Sequence, residues 1–482
     1  MIHDPWDILR SVIVNSVGVE RDPNTNKSIA PKQDYIASLL FEMYGPHLLR
    51  EGSDVFVYTG THWALLSITD LEYFMKNVAQ AMLGGRARVS ELSAYYTLFI
   101  GKLDTPPYGV SLHNPDPLLS NFSNGTLELK YSNGKYEQIF RKHRREDYIN
   151  WVLDRKYEPN AEPNLLFRSW LDNAFGSDPD GQGKIRAIAQ IGGACLVSIF
   201  PRIVFLHGDG GTGKSTFAKL CASFIGASNV SSVEPGSLKA DSFLMESLMG
   251  KRVNIVSDVS GARFDSAVFK RIEDNVPVIV NRKNRPAVMA KIPSLHIFCA
   301  NKLPRGMDGE STAMDRRMTL VEFTKNVGTT EDSHIRDYDK VLLEAGDGDI
   351  LKFFLDGLAD LCASGGKYFN PESGKDQLKE WKVESDILSL FFEAIEAGDF
   401  ANIQFGRDLS IRGGLLYDAL NSFAKSRGVF SVPPRKKLYN ALRDRKCLSH
   451  QDRNNFTFFK GIGDLKQSSS APPHSHPQEK ND

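Results

Sequence analysis

The chain has 482 residues, 41% of them hydrophobic, with 59 basic side chains against 59 acidic ones. That length and apolar content suit two or three domains with real cores, which excludes a disulfide-stapled miniprotein and a disordered chain. The balanced charge excludes a global field for nucleic acid, so any such surface has to come from local clustering.

Five cysteines, Cys195, Cys221, Cys299, Cys362 and Cys447, are scattered without a C-x-x-C pair. This suits neither a disulfide framework nor a zinc site and points to a reducing interior. No run of 18 apolar residues occurs, and the opening MIHDPWDILRSV has early acids and no long apolar core. Neither membrane insertion nor export is expected, and the expected location is cytoplasmic.

Residues 1–162 read as an α+β unit. DYIASLLFEMYGPHLL and ITDLEYFMKNVAQAML have helical spacing, and SDVFVYTGTHWALL reads as strand, tight turn and strand. LLSNFSNGTLELKYSNGKYEQI carries Asn-Gly twice between β-prone runs, a meander signal, and helices are expected to resume near Tyr148. Residues 163–200 form a helical lead-in. From 201 to 345, the runs RIVFLHG, RVNIVSD, LHIFCAN and MTLVEF alternate with helical or looped segments, as in a parallel sheet flanked by helices. Residues 346–465 read as a helical and then basic carboxyl-terminal domain; positions 405–460 hold twelve Lys or Arg against four Asp or Glu. Residues 466–482, within KQSSSAPPHSHPQEKND, have the composition of a disordered tail.

Within the parallel-sheet region, Gly208-Asp209-Gly210-Gly211-Thr212-Gly213-Lys214-Ser215 matches G-x-x-x-x-G-K-[ST], with Thr216 following. Glycines let such a loop turn its N–H groups toward phosphates, the lysine reaches the β and γ oxygens, and the serine hydroxyl ligates Mg²⁺. ATP and Mg²⁺ are the expected cofactors. Asp258, 44 residues beyond Lys214, ends a predicted strand and is suited to hold the metal, orient the attacking water, or both. Asn301, 43 residues further, ends another strand where its amide would sense the γ-phosphate. Arg316 and Arg317 precede the next β-prone run, and either would suit an arginine finger.

This order of motifs resembles the viral superfamily 3 helicases, and more closely the helicase portion of the phage, plasmid and poxvirus primase-helicases. NGTLEL, YEPNAEPNLLFRSWLDNAF and IGGACL are similar to the domain preceding that helicase, and YDALNSFAKSRG to its winged-helix-like end. The resemblance implies an α/β AAA+ P-loop ATPase core between an N-terminal α+β domain and a winged-helix-like carboxyl terminus. It implies a homo-oligomeric ring, usually a hexamer, with ATP between subunits and single-stranded DNA through the centre. Lys270 looks like the family's basic residue sensing phosphate from the adjacent subunit.

Two β-prone runs, PVIV and AVMAKI, flank a tip with Arg282, Lys283 and Arg285, and a hairpin there would bring cations to a DNA backbone. No carboxylate cluster of the two-metal type precedes residue 200, so no priming activity is expected, and a primase or polymerase would be a separate chain. The leading expectation is an ATP-dependent replicative helicase of a phage or mobile element acting on single-stranded and forked DNA. The alternative is an ATP-regulated replication initiator or helicase loader without strong unwinding.

Overall fold

The computed structural model describes residues 4–14, 16–17, 23–25, 32–133, 135–237, 243–259, 276–283, 285–292, 295–301, 317–326, 337–385, 387–400, 402–427, 432–452 and 454–463. These divide into two units, the first ending at Lys375 and the second beginning at Asp376.

The first unit opens with α1 (Pro5–Arg10), α2 (Gln33–Tyr44), the strands β1 (Leu48–Glu51), β2 (Asp54–Tyr58) and β3 (Trp63–Leu65), then α3 (Ile68–Met82) and α4 (Val89–Lys102). The three strands pair antiparallel in the order β1-β2-β3. The apolar stripes Ile36/Leu40/Tyr44, Leu71/Met75/Val78 and Tyr95/Phe99 close over Val55 and Val57, the inward face of β2. Spacing by three and four on the helices and by two on the strand produces that core.

A meander follows, β4 (Leu119–Phe122), β5 (Gly125–Ser132) and β6 (Lys135–Arg141), in sequential order. Asn133, between β5 and β6, has φ 51°, the left-handed conformation that Asn-Gly hairpins require. The helix expected near Tyr148 does not form. That segment holds a single 3-10 turn, Arg145–Asp147, and the next α-helix begins at Leu165. Pro159 and Pro163 explain the delay, since each withholds an amide and biases its predecessor toward extended backbone.

Helices α5 (Leu165–Phe175) and α6 (Gly181–Leu196) lead into β7 (Arg202–His207), α7 (Lys214–Ile225), β8 (Val230–Ser231), β9 (Val253–Val256), the hairpin β10 (Val278–Arg282) and β11 (Arg285–Ala290), β12 (Leu295–Ala300) and β13 (Met318–Glu322). Five of these strands form one parallel sheet in the order β13-β7-β12-β9-β8. Residues 202–206, 253–256, 295–300 and 318–321 are buried throughout. Continuous burial is what a parallel sheet covered on both faces demands, and it explains why these strands read as apolar runs without alternation.

Three helices close the first unit: α8 (Tyr338–Glu344), α9 (Asp347–Ala363) and the start of α10 (Glu372–Ser385). Phe354, Leu358 and Leu361 of α9 share the core of Ile188, Ile191 and Cys195 of α6. The expected boundary at 345/346 therefore lies too early, because α9 completes the core of the sheet unit. The two helices meet at glycines. A Cβ on Gly193 would strike the backbone of Phe354 and Leu358, and one on Gly357 the Ala189 carbonyl.

The second unit runs α11 (Ile387–Glu396), β14 (Gln404–Arg412), α12 (Gly413–Ser426), α13 (Arg435–Asp444), β15 (Leu448–Gln451) and β16 (Thr457–Gly463). Its strands pair antiparallel in the order β14-β16-β15 over a core that includes Phe391, Leu416, Leu420, Leu438, Leu442 and Phe459. Leu438 and Leu442 of α13 are buried while Arg435, Lys436 and Arg443 are exposed. The tail from residue 464 lies outside the described residues.

Candidate functional site

The carboxyl edge of the parallel sheet gathers the candidate residues. His207, the last residue of β7, is level with Ala300 of β12 and Glu322 of β13, and Phe298 is level with Val256 of β9. The loop Gly208–Gly213, the Ser257–Asp258 pair and Asn301 thus emerge from adjacent strand ends. Loops at this edge of an open parallel sheet are the usual location of ligand sites.

Local chemistry fixes the loop. Gly208 has φ 140°, and a Cβ there would collide with the Phe323 carbonyl, so only glycine fits. Gly213 caps α7 in a left-handed conformation, φ 96°. Thr212 Oγ1 donates to the Asp209 carbonyl at 2.8 Å and ties the loop across its own mouth. The Lys214 ammonium is folded back on this loop, donating to the Gly208 carbonyl at 2.6 Å and the Asp209 carbonyl at 2.5 Å. Burial lowers its pKa, while Cys299, Asp209 and Asp258 act against that shift. A loop with an ammonium and a helix amino terminus behind it has the chemistry to hold an anion.

Ser215 Oγ lies 3.5 Å from the Ser257 carbonyl, next to exposed Asp258. The Val259 amide donates to the Cys299 carbonyl at 2.9 Å and pins this turn to β12. A hydroxyl and a carboxylate at one strand end are hard oxygen donors, a small set of the kind that suits Mg²⁺. Asn301 is exposed one residue beyond β12. Behind them the Cys299 thiol is pushed up to about 12 by burial, so it is an inert packing group.

Arg317 stands elsewhere. Its carbonyl accepts from the Ile203 amide at 3.1 Å, at the amino edge where β7 and β13 begin. The six residues of β7 separate that edge from the loop by roughly 20 Å. Arg316 and Lys270 lie outside the described residues.

The hairpin reading needs a correction at Arg282. Expected as a cation for a DNA backbone, it is buried, and its Nη1 donates to Asp54 Oδ2 at 2.7 Å with both side chains about 5% exposed or less. Burial alone would raise the Asp54 pKa; hydrogen bonds from His113 and Arg282 outweigh it and hold the carboxyl at about 2. Arg282 therefore ties β10 to β2. Lys283 is exposed, with its amide directed at Glu246 Oε2 at 3.3 Å. Arg285 pairs with Arg282 across the hairpin, and its side chain lies outside the described residues.

A cavity of about 580 Å³ opens beside the end of β13, and sequence reasoning missed it. Its lining includes Asp178, Asp180, Lys184, Glu322, Thr324 and Lys325. Lys184 is 1% exposed, donates to Asp178 Oδ2 at 2.7 Å and lies 3.8 Å from Glu322 Oε2. Thr324 and Lys325 follow Phe323, the residue that backs Gly208. No local pattern marks this group, because its members come from the α5–α6 turn, α6 and the end of β13.

Fold and loop together define a parallel α/β protein with a glycine loop between its second-position strand and the following helix. Residues 206–317 match the model of a "family of unknown function (DUF5906)", and residues 112–176 match a model described as "D5 N terminal like". No curated protein matches the sequence. Similar solved structures include the apo structure of the NrS-1 C-terminal region (305-718), at 13% identity over 90% of this chain and 100% of that chain, with a TM-score of 0.45. The A form apo structure of the NrS-1 C-terminal region gives 13% identity, 89% and 99% coverage and a TM-score of 0.42. Among the described residues no helix is long and apolar enough to cross a membrane.

Proposed function

We propose that the chain is a replication-related ATPase of the AAA+ superfamily 3 type, working as an ATP-dependent DNA helicase in a ring of identical subunits, with six the expected number. The observation that carries this reading is the separation of Lys214, Ser215, Asp258 and Asn301 at one edge of the sheet from Arg317 at the other. A finger on the far edge serves a neighbour's nucleotide, which makes the ring the functional unit.

In the proposed reaction the loop amides and Lys214 hold the β- and γ-phosphates; Lys214 exchanges its bonds to the Gly208 and Asp209 carbonyls for phosphate oxygens. Ser215 and Asp258 would hold Mg²⁺, which supplies charge neutralisation on the phosphates when bound. Asp258 also orients the attacking water and accepts its proton, and Asn301 hydrogen-bonds the γ-phosphate. The cavity of Asp178, Lys184 and Thr324 is the space for the base and ribose. Lys270, Arg316 and Arg317 are assigned to the adjacent subunit's phosphates.

The second unit supports a DNA-binding role. Its helix, strand, two helices and two strands, with sheet order β14-β16-β15, are compatible with the proposed winged-helix-like end, and its exposed cations on α13 suit phosphate contacts. Lys283 and Arg285 remain the hairpin's candidate DNA contacts. A forked-duplex assay tests the reading. ATP-dependent strand separation that disappears in Lys214→Ala supports it; ATP turnover with no strand separation in assembled protein would instead support the initiator or loader role.

A further inference from the structure

Away from the glycine loop, at the base of β9, the first unit encloses a cavity of about 50 Å³. Its walls come from the segment before β4, from Asn150 and Trp151, from the start of β9 and from the residues following β11. His113, Lys251, Arg252 and Lys291 line it, with Asn114 and Asn150 among the neutral polar groups, and the lining contains no carboxylate.

Arg252 is the centre of this cluster. It is 4% exposed, and its guanidinium lies 4.0 Å from the centroid of the Trp151 ring. Nη2 donates to the Leu196 carbonyl at 3.4 Å, while Nε has no partner among the described residues. Lys251 Nζ uses one donor on the Ser228 carbonyl at 2.6 Å. Neither side chain has a carboxylate partner among the described residues. His113 turns Nε2 to Asp54 at 3.0 Å, and Asp54 is in turn held by Arg282, so that carboxylate is already committed. Burial brings Arg252 down to about 9 and lowers Lys251, the response of cations enclosed without a counter-ion. A buried guanidinium with an unmet donor is costly unless something anionic completes it.

We infer that this cavity is a phosphate site, distinct from the glycine loop, which takes a terminal phosphate group carried by a free nucleotide or by the 5′ end of a DNA strand. Arg252 and Lys251 supply charge-assisted donors from the wall, and Lys291 supplies an exposed cation at the rim. Asn150 Oδ1 is buried without a partner, and the hydroxyl of a monoprotonated phosphate would donate to it. The volume exceeds the space one water needs several times over. An adjoining cavity of about 260 Å³ shares His113, Asn150, Gly250 and Lys251 and leaves room for what the phosphate is attached to. The length of β9 separates the site from Asp258, so the two phosphate sites stand on opposite edges of the sheet.

The test uses the full chain carrying Lys214→Ala, which removes the loop's contribution and makes the result independent of the ATPase reading. Inorganic phosphate is titrated at constant ionic strength and followed by ³¹P line broadening and by the thermal midpoint, which rises with occupancy of a native-state site. Saturable binding is expected. Lys251→Gln and Lys291→Gln, which leave the buried Arg252 stack in place, are each expected to raise the half-saturating concentration about tenfold. Absence of saturable binding in folded protein, or binding indifferent to both substitutions, would overturn the site. AMP and a 5′-phosphorylated oligonucleotide are then competed against phosphate. Displacement by the first at lower concentration identifies the free nucleotide, displacement by the second identifies DNA, and displacement by neither overturns the assignment to a nucleotide phosphate.

Discussion

Arg317 and Lys214 occupy opposite ends of the same strand pair: the Arg317 carbonyl holds the Ile203 amide where β7 begins, and Lys214 opens the helix after β7 ends. With roughly 20 Å of strand between them, one chain's Arg317 does not serve its own loop. Arg317→Ala is therefore expected to leave ATP affinity within about twofold while hydrolysis in the assembled protein falls 10³-fold or more, roughly the worth of an arginine finger. Mixing the variant with wild-type chain should depress turnover more steeply than dilution. Turnover falling only in proportion to the added variant would point to action within one chain.

Lys214→Ala is expected to reduce ATP turnover to background and to weaken nucleotide binding by about tenfold or more, through loss of charge-assisted bonds to phosphate. Equilibrium binding of a fluorescent ATP analogue, with a thermal melt to confirm folding, checks this. Wild-type turnover in the variant would remove the loop from the chemistry.

Two neighbouring cations on the hairpin should behave differently. Arg282→Leu leaves the Asp54 carboxylate buried without its main partner and is expected to cost about 3–5 kcal/mol of stability, seen as a lower denaturant midpoint. Lys283→Ala, fully on the surface side of the turn, should leave that midpoint unchanged and make the salt dependence of DNA affinity shallower by about one unit. Equal stability of the two variants would contradict the buried Arg282–Asp54 pair.

His62 gives a pH dependence. Burial, aided by the charge of His143, lowers its pKa to about 4, below the ordinary value of 6.5. The unfolded chain takes up this proton first as pH falls, so stability is full above about pH 6.5 and is lost progressively toward pH 4. The loss reaches up to about 3 kcal/mol. Urea midpoints measured across that window should show the slope, and His62→Gln, which takes up no proton, should flatten it.

The parallel sheet was legible because both of its faces are covered: RIVFLHG, RVNIVSD, LHIFCAN and MTLVEF are apolar without alternation, and their spacing leaves room for crossovers. The glycine loop was legible because Gly208 and Gly213 need backbone conformations that other residues resist. Arg282 was misread because a charge run says nothing about what faces it, and Asp54 is far away in the chain. Lys184 was invisible for the same reason, since its partners Asp178 and Glu322 come from other elements. The boundary near 345 failed because α9 looks, in sequence, like any amphipathic helix, whereas its glycine decides where it docks. The helix expected near Tyr148 is delayed to Leu165 because Pro159 and Pro163 stand in the intervening segment.

The crossing of α6 and α9 bears on how mutational data for this chain should be interpreted. At Gly193 and Gly357 the smallest possible addition, a single methyl group, meets main chain on the opposing helix, which cannot swing aside as a side chain does. A saturation screen scored on activity would mark these two positions as intolerant as Lys214, although both lie in the α6–α9 contact and not in the glycine loop. Tolerance maps would then draw two overlapping images, one of chemistry and one of clearance. Only a parallel measurement of soluble, folded protein separates them.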